Sequence, residues 1–271
     1  MKKLNRIFAI GFMLTLINLS CQATNSKENK TTETPTKTEK KQVTVAQKAK
    51  NQEVKTGEIV FKKDKLIEVA LLTVKPGKEK QFNEDYFKKA FPIGVPYGAR
   101  FIGSFMIKKK EAGNVPAQML IFFEWNSLED FRKLKANIDF VKVVNIRNDA
   151  LSFLTTGTFR VDKDITYKLS TDKTYEFAAL WLTNPPLLQE YFKAVLPLAG
   201  DPKIQFQLIA QLKATGESDG TYHPHLIFFS EWKAGYKGKE ELLRRKAFKD
   251  NVQKREKASP YKDILIVTPM L

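Results

Sequence analysis

The chain has 271 residues, of which 42% are hydrophobic and 28% are charged, and it carries a formal net charge of +16 at pH 7. Half of the positive excess belongs to residues 1–66, which hold 14 Lys/Arg and 6 Asp/Glu. The rest is spread over the remainder of the chain without a recognised nucleic-acid-binding module. We therefore expect no nucleic-acid partner and assign the basic residues to solvated surface.

Residues 1–21 have the pattern of an export signal, with a basic start, an apolar run from Ile7 to Leu19, and then Cys21. The apolar run is shorter than the roughly 20 residues that span a bilayer. Cys21 is the only cysteine of the chain, so it has no disulfide partner in an oxidising compartment. The segment resembles the lipobox of bacterial lipoproteins, although Asn18 stands where that motif prefers leucine. An ordinary secretory signal cut nearby is the alternative.

The lipobox resemblance implies a protein that is exported and anchored in the outer or plasma membrane of the cell envelope by a lipid, such as palmitate, on Cys21. Residues 22–58 are mostly Lys, Thr, Glu, Asn and Gln. Such a composition buries too little apolar surface to offset the entropy of ordering. We expect this segment to be a disordered polar tether between the anchor and the folded part.

The folded part contains an internal duplication. The run Met119 to Trp125 returns about 107 residues later as Leu226 to Trp232. After each run comes a charged helical segment with a phenylalanine seven residues before an arginine, in the stretches 140–147 and 248–255. We therefore divide the folded part into a first repeat, residues 59–162, and a second repeat, residues 163–271, joined by a short polar link.

Each repeat shows the same order of predicted elements, β-α-β-β-α-β. For the first repeat we predict strands over 67–74, 100–108, 117–125 and 151–161, a helix that ends near Pro92, and a helical region over 127–148 that breaks near Asn137. For the second repeat we predict strands over 175–183, 204–212, 223–232 and 261–268, and helices over 185–196 and 237–257.

This order is that of a ferredoxin-like α+β unit. The third strand of each repeat is apolar on successive residues, which is typical of a strand that is covered on both faces. Helices can cover only one face, so the second repeat must supply the other cover. The sequence therefore predicts a pseudo-dimeric α/β barrel formed within one chain, and a monomer.

The chain resembles the dimeric α/β-barrel superfamily over residues 66–271. The resemblance rests on the turn Lys75-Pro76-Gly77-Lys78, the aromatic third strand and the arginine late in the second helical region. The superfamily includes antibiotic-biosynthesis-type monooxygenases, muconolactone isomerase and haem-dependent chlorite dismutase. Because it hosts many chemistries, the resemblance implies a fold rather than an activity, and whether this chain is an enzyme stays open.

Three repeated residue types are candidates for binding a ligand. Trp125 and Trp232 end the third strands, where they can gate or plug a pocket. The tyrosines and arginines of the two repeats are expected on helix faces that point toward the sheet, where core packing is the alternative. These four residues are Tyr86, Tyr191, Arg147 and Arg255.

The two histidines, His223 and His225, lie two residues apart, so on a strand they point to the same face. They are candidate ligands of a metal ion or of a haem iron. The alternative is that they have no ligand and lie in an exposed loop that leads into the strand. Glu124 and Glu231, each just before a tryptophan, are weaker candidates for acid–base chemistry.

From these features we predict a lipid-anchored envelope protein that binds a small apolar or aromatic molecule between its two sheets. We expect no cofactor, with haem as the exception to test. The alternative is an enzyme like the superfamily's cofactor-independent oxygenases or its haem-dependent members.

Overall fold

The structure is a computed structural model that describes residues 53–216 and 219–271. The predicted signal peptide, Cys21 and residues 22–52 of the predicted tether lie outside this part. Within it, none of the helices combines the length and the apolar character that crossing a membrane requires.

An unpredicted strand, β1 (Thr56–Phe61), crosses the predicted start of the first repeat at residue 59. The elements of the repeat itself have the expected order. They are β2 (Leu66–Val74), a π-helical segment (Gln81–Phe87) continued by α1 (Lys88–Gly94), a 3-10 turn (Val95–Tyr97), β3 (Arg100–Ala112), β4 (Met119–Trp125), α2 (Leu128–Ala136), α3 (Ile138–Ala150) and β5 (Leu151–Arg160).

The second repeat has the same order after a second unpredicted strand, β6 (Ile165–Ser170). Its elements are β7 (Thr174–Trp181), α4 (Pro185–Val195), a 3-10 turn (Leu196–Leu198), β8 (Phe206–Ala214), β9 (Leu226–Trp232), α5 (Tyr236–Arg244), α6 (Lys246–Ala258) and β10 (Tyr261–Pro269).

Eight of these strands close into one barrel in the order β10-β3-β4-β2-β5-β8-β9-β7. The two repeats meet along two seams. One is long, with β10 antiparallel to β3 from Ile264↔Ala112 to Pro269↔Phe105. The other joins β5 to β8 through only Phe159↔Ala214 and Arg160↔Lys213. The predicted pseudo-dimeric barrel is thus confirmed.

Side chains from both repeats fill the interior of the barrel. Phe105 and Phe122 of the first repeat pack edge-on against Phe229 of the second, with ring centroids 5.0 and 5.6 Å apart. All three rings are fully buried. Burying such a side chain stabilises the fold by about 1.5–3 kcal/mol, so each repeat depends on the other for this core.

The unpredicted strands pair with each other, from Thr56↔Ser170 to Phe61↔Ile165. This two-stranded sheet adds Ile59, Phe61 and Leu169 to the barrel core. The segment assigned to the tether therefore ends before Thr56, and the link between the repeats contains a strand. Strand β1 is short and has no clear alternating pattern. Strand β6 does alternate apolar and polar residues, but its six residues lie within the polar link between the repeats.

The helix after β4 breaks at Asn137, as predicted. The Asn137 side chain accepts hydrogen bonds from the backbone N–H groups of Asp139 and Phe140 and so caps the next helix. The second repeat has an unpredicted break at the equivalent place, Arg245, where no side-chain cap marks it. Strand β9 starts at Leu226, so the predicted start at His223 was wrong.

Candidate functional site

A cavity of about 170 Å³ lies in the first repeat between the sheet and the helices. It is therefore on the outer face of the sheet, whereas the space between the two sheets is filled by the barrel core. Its walls are mostly apolar, with a few polar side chains among aromatic rings. These walls include Glu68, Ala70, Leu72, Phe82, Tyr86, Phe87, Ala90, Phe91, Ile121, Phe123, Trp125, Phe131, Lys135, Phe140, Arg147, Leu154 and Thr156.

The alternation of β2 positions one wall. Ile67, Val69 and Leu71 belong to the barrel core, so Glu68 and Ala70 point the other way, toward the helices. The π-helical segment that follows carries Tyr86 to the opposite wall. π-Helical turns are rare in proteins overall, and those that do occur are often found at functional sites. The equivalent helix of the second repeat, α4, is regular.

Glu68 is the acidic group of the cavity. Its Oε2 accepts a hydrogen bond of 3.0 Å from Nε1 of Trp125. Burial raises the pKa of Glu68 to about 7. The hydrogen bond from Trp125 and the positive charges of Arg147 and Lys135 lower this pKa and so partly offset the effect of burial. Near neutral pH the carboxyl group can therefore both donate and accept a proton.

Tyr86 and Arg147 form the polar part of the opposite wall. The guanidinium carbon of Arg147 lies 5.7 Å from the centre of the Tyr86 ring, a cation–π distance. Burial raises the pKa of Tyr86, and the nearby Arg147 partly offsets this effect. The tyrosine hydroxyl is therefore a neutral hydrogen-bonding group at physiological pH.

Lys135 is held at the edge of the cavity by the second repeat. Its Nζ lies 2.7 Å from Oδ1 of Asp219. The same carboxylate lies 3.9 Å from Arg132. Asp219 follows β8, and its neighbours Thr221 and Tyr222 donate backbone hydrogen bonds of 2.8 Å to the carbonyl of Thr156. The charge of Lys135 is thus already compensated.

The second repeat keeps the same tryptophan–carboxylate pair in a different setting. Nε1 of Trp232 donates to Oε2 of Glu176 at 3.1 Å. Lys239 forms an ion pair with the same carboxylate, and all three side chains are buried. Phe131 stands at the position equivalent to Lys239 in the first repeat, so Glu68 has no such lysine beside it.

Larger side chains occupy the space in the second repeat that corresponds to the cavity. Val195 and Phe228 stand at the positions of Ala90 and Ile121 and belong to a buried cluster with Tyr191. One repeat therefore has an open site and the other a packed core.

The ion pair of Lys239 also reaches the first repeat, because its ammonium contacts the carboxylate of Glu111 on β3. Tyr236 donates a hydrogen bond to the same carboxylate. The positive charge and hydrogen bonds of Lys239 act against burial and hold the pKa of Glu111 below its usual range. This buried network ties α5 to the long seam between the repeats.

The six candidate ligand-binding residues thus fall into two groups. Tyr86, Trp125 and Arg147 line one cavity. Their counterparts Tyr191, Trp232 and Arg255 are each 0% exposed and pack together with Phe248 and α4. The expected sheet-facing position of the helix residues is observed in both repeats, and a role in ligand binding stays a prediction.

The histidines lie away from the cavity, on the exposed approach to β9. Nδ1 of His225 accepts a hydrogen bond of 2.8 Å from the backbone N–H of Leu182. In the part of the chain that the structure describes, no cluster of three His, Cys, Asp or Glu side chains is arranged to hold a metal ion.

The repeated glutamates before the tryptophans face the barrel instead of the cavity. Nε of Arg100 donates to Glu124 at 3.0 Å, and Tyr167 donates to Glu231. The carboxylate that lines the cavity belongs to Glu68, which was not among the candidate residues. The repeat itself could have indicated it, because an acidic residue interrupts the apolar first strand at equivalent places, Glu68 and Glu176.

No protein-family model matches the chain, and no curated protein matches it. Solved structures do share its fold. An anthrone oxidase-like protein is 17% identical, with a TM-score of 0.52 over 79% of this chain and 95% of that one. A protein described as a monooxygenase from Lactobacillus acidophilus NCFM is 11% identical, with a TM-score of 0.43 over 76% of this chain and 94% of that one. A chlorite dismutase variant from Candidatus Nitrospira defluvii is 12% identical, with a TM-score of 0.43 over 78% of this chain and 93% of that one.

We predict that Glu68→Gln changes how stability depends on pH. The ordinary pKa near 4.5 is raised to about 7 in the folded state, so folding favours the protonated form. The resulting stabilisation is complete below the unfolded-state pKa and is lost as the pH rises through about 7. The variant keeps an acceptor for Trp125. Its free energy of unfolding should therefore be about 1–3 kcal/mol higher than that of the wild type at about pH 8 and equal to it at about pH 4.5.

Chemical denaturation at several pH values measures this difference. Equal pH profiles for the wild type and Glu68→Gln would contradict a raised pKa. Glu176→Gln is the matched variant of the second repeat, and it should destabilise the protein because it removes a buried partner of Lys239.

Proposed function

We propose that the protein binds a small aromatic molecule in the cavity of its first repeat, and that it does so on the surface of a membrane to which the predicted lipid on Cys21 anchors it. The observation that carries the proposal is the difference between the repeats. The same framework encloses an apolar cavity with Glu68 in one repeat and a packed core in the other.

The size and lining of the cavity favour a ligand of one or two rings. An apolar cavity of about 150 Å³ in another protein holds a benzene molecule, and this cavity measures about 170 Å³. Phe87, Phe123 and Trp125 offer ring faces and edges to an aromatic ligand. Glu68 and Tyr86 offer hydrogen bonds to a hydroxyl group, since ligand sites combine apolar walls with a few polar groups.

This position differs from the one expected from the sequence. The space between the two sheets is occupied by the aromatic rings of Phe105, Phe122 and Phe229. A ligand there would have to displace a core that both repeats share. We therefore assign the ligand to the space between the sheet and the helices.

We expect isothermal titration calorimetry to show one molecule of 2-naphthol bound per chain. A dissociation constant of about 10 µM to 1 mM is expected for a ligand of this size. Ala70→Leu should abolish binding without unfolding the protein, because the added side chain enters the cavity. Its counterpart Ala178→Leu should destabilise the protein instead, because Ala178 is fully buried in a packed region. Equal binding to the Ala70→Leu variant would contradict the proposed site.

A second candidate function is a cofactor-independent oxygenase, and the pKa of Glu68 near 7 is the observation that favours it. A base of this pKa is suited to removing a proton from a phenol at neutral pH. In an oxygenase reaction, one oxygen atom of O₂ replaces the hydrogen at the ring carbon para to the deprotonated hydroxyl, which gives a quinone. The other oxygen atom leaves as water with that hydrogen and the hydroxyl proton. Among the neighbours in structure is an anthrone oxidase-like protein.

Oxygen uptake with a naphthalene diol tests this candidate. We expect a rate above the spontaneous reaction that falls about tenfold or more in Glu68→Gln, whereas Glu129→Gln, which makes the same change at an exposed glutamate outside the cavity, keeps it. Uptake that does not exceed the spontaneous rate would leave binding as the function.

Haem does not fit this cavity. Among the usual ligands of haem iron, the lining has one tyrosine, Tyr86, and no histidine, cysteine or methionine. The volume of about 170 Å³ suits one or two rings and is too small for a porphyrin. Haem held by the exposed His223 or His225 stays a prediction, which a Soret band lost on substitution of the histidine would support.

A further inference from the structure

The two repeats differ at the residue that follows the repeated arginine. In the second repeat Arg255 is followed by Glu256, and Nε of Arg255 donates to Oε1 of Glu256 at 3.1 Å. In the first repeat Arg147 is followed by Asn148, whose Oδ1 accepts from Nε and Nη2 of Arg147 at 3.3 and 3.1 Å. The geometry of the pair is kept, and the negative charge is not.

Arg147 therefore bonds to the neutral amide of Asn148, where Arg255 bonds to the carboxylate of Glu256. Within residues 53–216 and 219–271, no carboxylate lies within ion-pair distance of the Arg147 guanidinium. Arg255 is buried and paired with Glu256, which Lys262 also contacts at 2.6 Å. Arg147 is partly buried and lines the cavity. The acidic group of the same cavity, Glu68, feels the charge of Arg147 but forms no ion pair with it. The guanidinium therefore still has room to pair with an anion from a ligand.

We propose that the ligand of this cavity carries a carboxylate, which pairs with Arg147 while its ring lies between the sheet and the helices. This inference rests on the proposed binding function and narrows it to aromatic carboxylic acids. The other cation of the cavity is less suited to the role, because Lys135 is already paired with Asp219 at 2.7 Å.

The position of Arg147 supports the assignment. Its guanidinium lies above the Tyr86 ring, 5.7 Å from the ring centre, and its hydrogen bonds to Asn148 restrict its rotation. Part of the entropy cost of binding is thus already met by the fold. Glu68, on the sheet, lies across the cavity, where in its protonated form it can donate a hydrogen bond to a polar substituent of the ligand.

The experiment compares 2-naphthoate with its neutral counterpart 2-naphthamide by calorimetry on the full-length protein. We expect the wild type to bind the carboxylate about 10- to 100-fold more tightly, the ratio that a hydrogen bond to a charged group supplies. Asn148→Glu should remove this preference, because it gives Arg147 the partner that Arg255 has. Affinity for 2-naphthamide should stay the same.

Asn148→Gln is the matched control, since it adds the same length without the charge, and it should keep the preference. Asn148 is exposed, so both variants should fold, which circular dichroism and the melting temperature verify. Arg147→Gln should likewise lose the preference.

The outcomes separate this inference from the function on which it rests. Binding of 2-naphthamide equal to or tighter than that of 2-naphthoate would overturn the inference and leave the binding function intact. A preference that survives in both Asn148→Glu and Arg147→Gln would overturn the role of Arg147. Binding of neither compound would count against the proposed function itself, and so against the inference.

Discussion

The structure depends on a carboxylate that each repeat places between its sheet and its helices. Removing a charged group from water costs several kcal/mol unless a partner compensates it. In both repeats a tryptophan Nε1 donates to this carboxylate, at 3.0 Å for Glu68 and 3.1 Å for Glu176. The second repeat adds the ammonium of Lys239 and packs the surrounding space. The first repeat has no such lysine, and the pKa of Glu68 rises to about 7 instead.

The duplication explains how one chain can have both arrangements. The barrel core needs both repeats, because rings from each fill its interior. Between the sheet and the helices, by contrast, the buried clusters of the two repeats are separate, so one can change without the other. The second repeat stabilises the seam through Lys239 and Glu111, whereas the first keeps a π-helical segment and a cavity. Both repeats thus stabilise the barrel, while only the first has an open space that can serve as a candidate site.

Much of the fold could be predicted from the sequence, because apolar strands such as β4 and β9 and a repeat period are strong patterns. The site could be predicted only in part. Periodicity places Tyr86 and Arg147 on the sheet-facing side of their helices, but it assigns no particular role to an acidic residue within a strand. In the second repeat, Lys239 forms an ion pair with Glu176, a contact between distant segments. Phe131 and Glu68 stand at the equivalent positions of the first repeat, and only this comparison shows that Glu68 lacks a lysine partner. Pairing of β1 with β6 is likewise a contact between distant segments.

The measurement that tests the account most directly is a crystal of the protein pressurised with xenon, since apolar cavities of this size take up the gas. The account predicts a xenon atom between the sheet and the helices of the first repeat, near Phe87 and Ile121, and none at the equivalent position near Phe192 and Phe228. Xenon in both repeats, or only in the second, would contradict the claim that the duplication left one open site and one packed core.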